Sequence, residues 1–288
     1  MSKMIRVSAI QQAYGQDKQN NLAHNLEGIR AAAKAGAQLI VLPELHTTPY
    51  FCITQDTANF ELAEPVPGPT VDALARCAAE LKVVIVGSVF ERRTAGIYHN
   101  TAVVLDSNGK LAGCYRKMHI PDDPGYNEKF YFTPGDLGFQ PIKTALGNLG
   151  VLVCWDQWFP EAARLMALAG ADILIYPTAI GWDLKDKPAE QQRQLEAWIT
   201  VQRGHAIANN LPLIACNRVG TETADSRFWG NSFICGPQGE FLTRAEFEES
   251  LLQVELDLKA SERLRRIWPY LRDRRIDAYQ DLTKRFRN

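Results

Sequence analysis

Short apolar runs alternate with amphipathic stretches along the first part of the chain, and this pattern favours an α/β protein. Residues 5–11 alternate with period two and predict the first strand. Residues 21–35 carry apolar side chains at helical spacing and predict a helix that Gly36 ends. Residues 39–42 are continuously apolar, as in a central strand that is buried on both faces.

The same alternation continues beyond this strand. Residues 71–82 predict a second helix, and residues 83–89 predict the next strand. Residues 100–105 and 110–115 are two further strands around Asn108-Gly109, a dipeptide that is typical of hairpin turns.

The second half of the chain resembles the first. Residues 35–43 align without gaps on residues 169–177, and Asn100-Thr101 corresponds to Asn231-Ser232, at offsets of 134 and 131 residues. These correspondences predict one domain spanning residues 1–288, with two sheets related by a pseudo-twofold axis and helices on both outer faces. The alternative is that helix–glycine–strand units simply look alike.

Composition and charge narrow the possible functions. The chain has 288 residues, 46% of them hydrophobic, and a net charge of -1, so it has no long-range field for nucleic acid or an anionic membrane. Its apolar runs are too short to span a bilayer, and its first residues do not form a signal peptide. Six dispersed cysteines without a CxxC motif predict reduced thiols and a cytoplasmic protein. Five histidines without ligand spacing predict no bound metal.

Glu44 marks a difference between the two halves. After the shared proline the first half has Glu44, whereas the second has Thr178. The carboxyl end of a buried strand is where α/β sheets build their sites. A single glutamate at such a place is more often a helix cap or a surface residue, so the position needs support from other residues.

Cys154 is the candidate nucleophile. We predict a buried strand that runs to Cys154 and a helix that begins near Pro160. A strand-to-helix turn presents a side chain in a cleft beside free backbone N–H groups. Most buried free cysteines are inert packing residues. We apply that interpretation to the cysteines that lie in ordinary helix or strand patterns, namely Cys77, Cys114, Cys216 and Cys235. The role of Cys52, in a loop near Glu44, stays open.

Lys117 follows the hairpin and precedes an unusual loop. A lone lysine is usually a solvated surface charge. Residues 121–132, however, combine charged, aromatic, proline and glycine residues, and loops of this composition often line sites.

Three ordered motifs carry a resemblance to a known family. Leu42-Pro43-Glu44, the stretch around Lys117 (residues 115–119) and the stretch around Cys154 (residues 153–157) resemble the Glu–Lys–Cys signature of the nitrilase (carbon–nitrogen hydrolase) superfamily. The resemblance covers nearly the whole chain. It implies a four-layer αββα sandwich, no cofactor, Glu44 as base, and an oxyanion site at Lys117 and the backbone N–H of Trp155. It also implies that Glu128 supports Lys117.

Within the superfamily the chain is most similar to the N-carbamoylputrescine amidases, through residues 119–126, 154–164 and 176–181. The resemblance implies hydrolysis of N-carbamoylputrescine to putrescine, carbon dioxide and ammonia through a thioester on the cysteine. For this small-molecule substrate we expect Asp183 to bind the ammonium, although a helix cap or a solvated loop acid is an equal alternative. The methylenes should contact three aromatic residues, Tyr50, Trp155 and Trp182.

Other functions remain open from the sequence. The same chemistry could act on a β-ureido acid or an aliphatic amide, with Lys185 or Arg193 binding an acidic group, and a non-catalytic binding protein could share the fold. Residues 259–288 are rich in arginine and aromatic residues, but the near-neutral chain disfavours RNA. They resemble a tail that superfamily members pack across a partner subunit, so we expect a homo-oligomer.

Overall fold

Two six-stranded sheets form the centre of the protein, in a computed structural model that describes residues 3–224 and 226–287. The strands are β1 Met4–Gln11, β2 Leu39–Val41, β3 Val84–Thr94, β4 Ile97–Leu105, β5 Leu111–Arg116, β6 Ile142–Lys143, β7 Asn148–Val151, β8 Ile173–Thr178, β9 Gly181–Asp183, β10 Leu213–Asn217, β11 Val219–Thr221, β12 Ser226–Trp229, β13 Phe233–Cys235, β14 Phe241–Arg244 and β15 Ser250–Asp257. The helices are α1 Lys18–Lys34, α2 Pro69–Leu81, α3 Glu128–Tyr131, α4 Pro160–Leu168, α5 Pro188–Asn209 and α6 Ala260–Ile267.

The two large sheets have the same topology. The first has the strand order β15-β1-β2-β3-β4-β5 and the second β6-β7-β8-β10-β13-β14. In each, three central strands are parallel and both flanks are antiparallel. The predicted pseudo-symmetric halves are therefore confirmed. A small third sheet, β11-β12-β9, lies outside this repeat.

Period-two alternation in the strands divides the core into layers. Leu39 and Val41 of β2 belong to the cluster that also contains Val151 and Ile175 of the second sheet. The alternate residues of β2, such as Ile40, pack instead with side chains of α1 and α2. Helices α4 and α5 cover the second sheet in the same way, which makes the αββα sandwich expected from the family resemblance.

The predicted strand before the nucleophile is longer than the observed one. Strand β7 ends at Val151, and a 3-10 helix, Cys154–Trp158, begins at the cysteine itself. The chain leaves the extended conformation because Cys154 has φ of 42° and the backbone N–H of Val153 donates to the Asp156 carboxylate at 2.9 Å. The turn at Cys154 is therefore tighter than the predicted one, in which the strand continues to the cysteine.

The C-terminal segment lies on the surface. It contains α6 and two short 3-10 helices, Ile276–Ala278 and Gln280–Thr283. Several of its large apolar side chains are exposed, among them Ile267 at 72% and Phe286 at 81%. Across residues 3–224 and 226–287, every helix is too short or too polar to cross a membrane.

Candidate active site

Two buried carboxylates and one buried ammonium lie together beside the first sheet, in chain segments that follow its strands β2 and β5. Lys117, directly after β5, donates from Nζ to Glu44 Oε1 at 2.8 Å and to Glu128 Oε2 at 2.7 Å. Glu44 follows β2 and Glu128 begins α3, so three separate elements contribute. All three side chains are fully enclosed. The structure thus brings together three of the predicted catalytic residues.

The ion pairs outweigh burial in their effect on the pKa of Lys117, whereas burial has the larger effect on the pKa of Glu128. Burial alone would lower the pKa of Lys117, yet Glu128 and Glu44 raise it well above its usual range. Burial raises the pKa of Glu128 to about 7, against the opposing influence of Lys117. Lys117 is therefore a permanent cation in this site, suited to stabilise negative charge on a substrate oxygen.

Further hydrogen bonds fix the two carboxylates. Asn100 on β4 donates from Nδ2 to Glu44 Oε1 at 2.6 Å, and the Tyr50 hydroxyl donates to Glu128 Oε1 at 2.6 Å. The second oxygen of Glu44, Oε2, is buried and has no hydrogen-bond partner among the described residues. One oxygen of Glu44 thus holds it in place, while the other remains available to accept a proton.

Cys154 lies at a backbone turn with a left-handed conformation, at φ 42°. Its thiol donates to the Ala179 carbonyl over 3.8 Å. Burial, and after it the nearby Glu44 carboxylate, raises the pKa of this thiol well above its usual range, with Lys117 opposing. The resting side chain is therefore a neutral thiol, and nucleophilic attack requires a base to remove its proton.

Asp156 connects the cysteine turn to the lysine strand. Its fully buried carboxylate accepts from Val153 N at 2.9 Å and from the Tyr115 hydroxyl at 2.8 Å. It also accepts from His119 at the backbone N, 3.1 Å, and at Nδ1, 2.7 Å. Because Tyr115 and His119 flank Lys117 by two residues on each side, one side chain fixes the lysine segment relative to the nucleophile.

A cavity of about 640 Å³ opens onto Cys154. Its lining includes the apolar side chains of Trp155, Trp158, Ile180 and Trp229. The backbone N–H of Trp155 belongs to the first turn of the 3-10 helix Cys154–Trp158, where N–H groups lack partners within the helix. A carbonyl group held between this N–H and Lys117 would have donors for its developing negative charge.

Charged side chains also line the cavity. The carboxylates are Asp123, Asp183, Asp186 and Glu190, and the cation among the described lining residues is Arg193, which is ion-paired to Glu190. Burial raises the pKa of Asp123, and its Oδ1 is buried with no partner among the described residues. The cavity therefore combines apolar side chains with an excess of carboxylates.

The structure distributes the predicted substrate residues over two cavities. Trp155 and Asp183 line the cavity that contains Cys154. Tyr50 and Trp182 line an adjoining cavity of about 220 Å³, which Asp183 also borders. Asp183 is exposed, and its Oδ1 accepts from the Lys185 backbone N–H at 2.8 Å. It is therefore a loop acid with a local turn contact, and helix α5 begins later, after Lys187.

Several residues that support the site have no recognisable signal of their own in the sequence. Asn100 appeared there only as part of the repeat, and Asp123 and Asp156 only within longer motifs, without roles of their own. Their value depends on contacts between distant segments, which no local pattern reports. No set of three or more His, Cys, Asp or Glu side chains in the described part of the chain is arranged to hold a metal ion.

The fold and the buried Glu–Lys–Cys arrangement define a hydrolase of non-peptide carbon–nitrogen bonds. The carbon–nitrogen hydrolase family model matches residues 6–266. The chain belongs to that family.

Similar proteins support the same class. An N-carbamoylputrescine amidase from Solanum lycopersicum is 42% identical over 98% of this chain and 95% of its own length. A citrullinase from Francisella tularensis is 39% identical over 98% of this chain and 99% of its own. A carbon–nitrogen hydrolase from Helicobacter pylori G27 has a solved structure with a TM-score of 0.96 and 50% identity, over 99% of this chain and 100% of that one.

Proposed function

We propose that this protein hydrolyses N-carbamoylputrescine to putrescine, carbon dioxide and ammonia, with Cys154 as nucleophile. Glu44 Oε2, the unpartnered buried oxygen, takes the thiol proton as Sγ bonds to the ureido carbonyl carbon. Lys117 Nζ and the backbone N–H of Trp155 stabilise the resulting oxyanion, a contribution of about 3–4 kcal/mol for one well-placed donor.

Collapse of this intermediate breaks the bond to the terminal nitrogen. Glu44 returns its proton to that nitrogen, ammonia leaves, and the carbonyl carbon remains bonded to Sγ as a thioester. Glu44 then removes a proton from water, which attacks the thioester and releases the thiol and a carbamate. The carbamate loses carbon dioxide to give the free amine. Glu128 keeps Lys117 charged throughout, through their 2.7 Å contact.

The acidic wall of the cavity supports a cationic substrate. Four carboxylates and one paired arginine line the cavity together with its apolar side chains. An extended diamine would place its methylenes against Trp155 and Trp158 and its ammonium among these carboxylates. The apolar contact lowers the free energy of binding, and the charges select the terminal group. The name of the tomato relative agrees with this choice.

The citrullinase relative raises a second candidate substrate, which carries the same ureido group but ends in an α-amino acid. Its carboxylate would require a free cation in the cavity. Among the described residues that line it the cation is Arg193, and this guanidinium is ion-paired with Glu190. The proposed charge pattern therefore favours the diamine derivative over the amino acid by electrostatic repulsion.

Ammonia release from N-carbamoylputrescine, citrulline, a β-ureido acid and an aliphatic amide is the deciding assay. We expect the highest kcat/KM for N-carbamoylputrescine and no turnover by Cys154→Ala. Higher kcat/KM for citrulline would refute the proposed substrate and leave the chemistry intact. Unchanged ammonia release by Cys154→Ala would refute the mechanism itself, and a chain without turnover on any substrate would favour the binding-protein alternative.

We also propose that the protein is a cytoplasmic homo-oligomer. All six cysteines are free thiols, as expected in a reducing compartment. The exposed apolar side chains of residues 259–288 are better suited to a subunit interface than to solvent.

A further inference from the structure

Arg218 is a fully buried cation that the mechanism above does not use. It lies between β10 and β11, with a side-chain exposure of 0%. Its Nη1 donates to Glu222 Oε1 at 2.7 Å, and Glu222 is itself 4% exposed. A buried ion pair of this kind is costly to desolvate, so its retention needs a reason beyond stability.

The other side of the guanidinium holds the loop that carries Glu44. Arg218 Nη2 donates to the backbone carbonyls of Leu45 and Thr48, each at 3.0 Å, and to that of Glu44 at 3.3 Å. Leu45 has φ of 49°, a conformation that a leucine rarely adopts. The loop after the base therefore bends around the guanidinium, which binds these three carbonyls; the Leu45 carbonyl also accepts from the Thr48 backbone N–H at 3.1 Å.

Glu222 links Arg218 to the second carboxylate that contacts Lys117, that of Glu128. Its Oε2 accepts from the backbone N–H of Tyr50 at 2.6 Å, and the Tyr50 hydroxyl donates to Glu128 at 2.6 Å. The rings of Tyr14 and Phe228 enclose the guanidinium at 4.8 and 5.2 Å from its central carbon. One ion pair thus connects the backbone of the Glu44 loop with Tyr50, whose hydroxyl holds the Glu128 carboxylate.

We infer that the Arg218–Glu222 pair is a positioning device for catalysis, which sets the distance and direction of Glu44 relative to Cys154. Neither residue lines the cavity that contains the thiol, so the pair acts through Glu44 and not on the substrate. The inference rests on the proposed role of Glu44 as base. A displacement of about 1 Å at a reacting group can reduce a rate about a hundredfold, which is the scale of effect at issue.

Two variants separate positioning from folding. Arg218→Lys keeps the charge but replaces the planar fork by one ammonium, which cannot serve both Glu222 and three carbonyls. The double variant Arg218→Met/Glu222→Gln removes both charges, so no buried carboxylate is left unpaired. Arg203→Lys is the matched control, because Arg203 also donates to a backbone carbonyl, that of Gly239, which lies before β14 and not in the loop after Glu44.

The first measurement is kcat and KM for N-carbamoylputrescine, alongside thermal unfolding. For both Arg218 variants we expect kcat to fall about tenfold or more, with KM within about threefold of wild type, since the cavity is unchanged. The Arg203→Lys control should keep its kcat. If the folded double variant retains wild-type kcat, the pair is merely structural and the inference is overturned.

The second measurement does not depend on the substrate. Iodoacetamide forms a thioether at Cys154 Sγ and releases iodide, while Glu44 takes the thiol proton; peptide mass spectrometry distinguishes this thiol from the other five. We expect Arg218→Lys to slow this alkylation severalfold at pH 7 but to add little in a Glu44→Gln background. Equal slowing in both backgrounds would overturn the inference. A wild-type protein inactive on N-carbamoylputrescine would refute only the proposed substrate, because alkylation still tests positioning.

Discussion

Replacing Asp156 by asparagine should reduce both stability and activity, although the two side chains have the same shape. Each oxygen of the carboxylate accepts from one backbone N–H: His119 N at 3.1 Å on Oδ1 and Val153 N at 2.9 Å on Oδ2. In either orientation, the amide NH₂ of asparagine must face one of these donors. Neither backbone group can reverse its role, so a buried N–H loses its partner.

The loss of stability can be estimated from the hydrogen bonds that Asp156→Asn breaks. An unsatisfied buried donor costs about 1–3 kcal/mol, and a hydrogen bond to a charged acceptor contributes about 1.5–3 kcal/mol. The His119 ring and the Tyr115 hydroxyl can rotate or change tautomer to recover part of the loss. We therefore expect the free energy of unfolding to fall by about 2–4 kcal/mol. The melting temperature should fall by roughly 3–7 °C for a chain of 288 residues.

The assay combines thermal unfolding with ammonia release at a temperature where all variants are folded. Asp172→Asn is the matched control, since within the described part of the chain the Asp172 carboxylate accepts from the Asn148 backbone N–H alone, on one oxygen, and an amide oxygen can replace it. The folded Asp156→Asn protein should also lose kcat, because the turn bearing Cys154 shifts relative to Lys117. A melting temperature and kcat equal to those of the control would refute this account of Asp156.

Three further predictions follow from other groups. Burial lowers the pKa of His46 to about 3, so below pH 6.5 the unfolded chain binds a proton that the native state rejects. Stability should therefore fall with falling pH by up to about 1.4 kcal/mol per unit from this residue, and His46→Gln should reduce that slope in urea titrations between pH 4 and 6.5; an unchanged slope would contradict the assignment. Asp123→Asn should raise KM for N-carbamoylputrescine roughly tenfold with little effect on an uncharged amide, whereas Asp122→Asn, which does not line the cavity, should leave KM unchanged; equal effects on both substrates would exclude an ammonium contact. Ile267→Glu should reduce the mass measured by light scattering if residues 259–288 form a subunit interface, and an oligomer that persists would place the interface elsewhere.

Local patterns predicted most of the fold. The period-two run at residues 5–11 and the helical spacing at 71–82 correspond closely to β1 and α2, and Gly109, at φ 80°, makes the expected hairpin turn. These features depend on neighbouring residues, whose preferences the sequence reports directly. The start of α1 was placed three residues late because Asp17, whose side chain accepts from Asn20 N, caps the helix earlier than its apolar stripe begins.

Less of the candidate site than of the fold can be predicted from the sequence. Glu44, Lys117 and Glu128 were expected to lie together, and the structure brings them within hydrogen-bonding distance. The supporting contacts of Tyr50 were not foreseen, because its hydroxyl and its backbone N–H meet residues 78 and 172 positions away in the chain. Such contacts follow from how the two halves pack, and no spacing within one segment encodes them.

The path of β15 has a consequence for synthesis of the chain. This strand pairs with β1 over all of Ser250–Asp257, so residues from the second half complete the edge of the first sheet. A ribosome therefore releases the first five strands with the edge of β1 unpaired, and that edge stays open until nearly the whole chain has emerged. An unprotected edge invites pairing with other chains. We expect the nascent first half to require chaperone protection, and a fragment that ends between the halves to aggregate instead of folding as an independent unit.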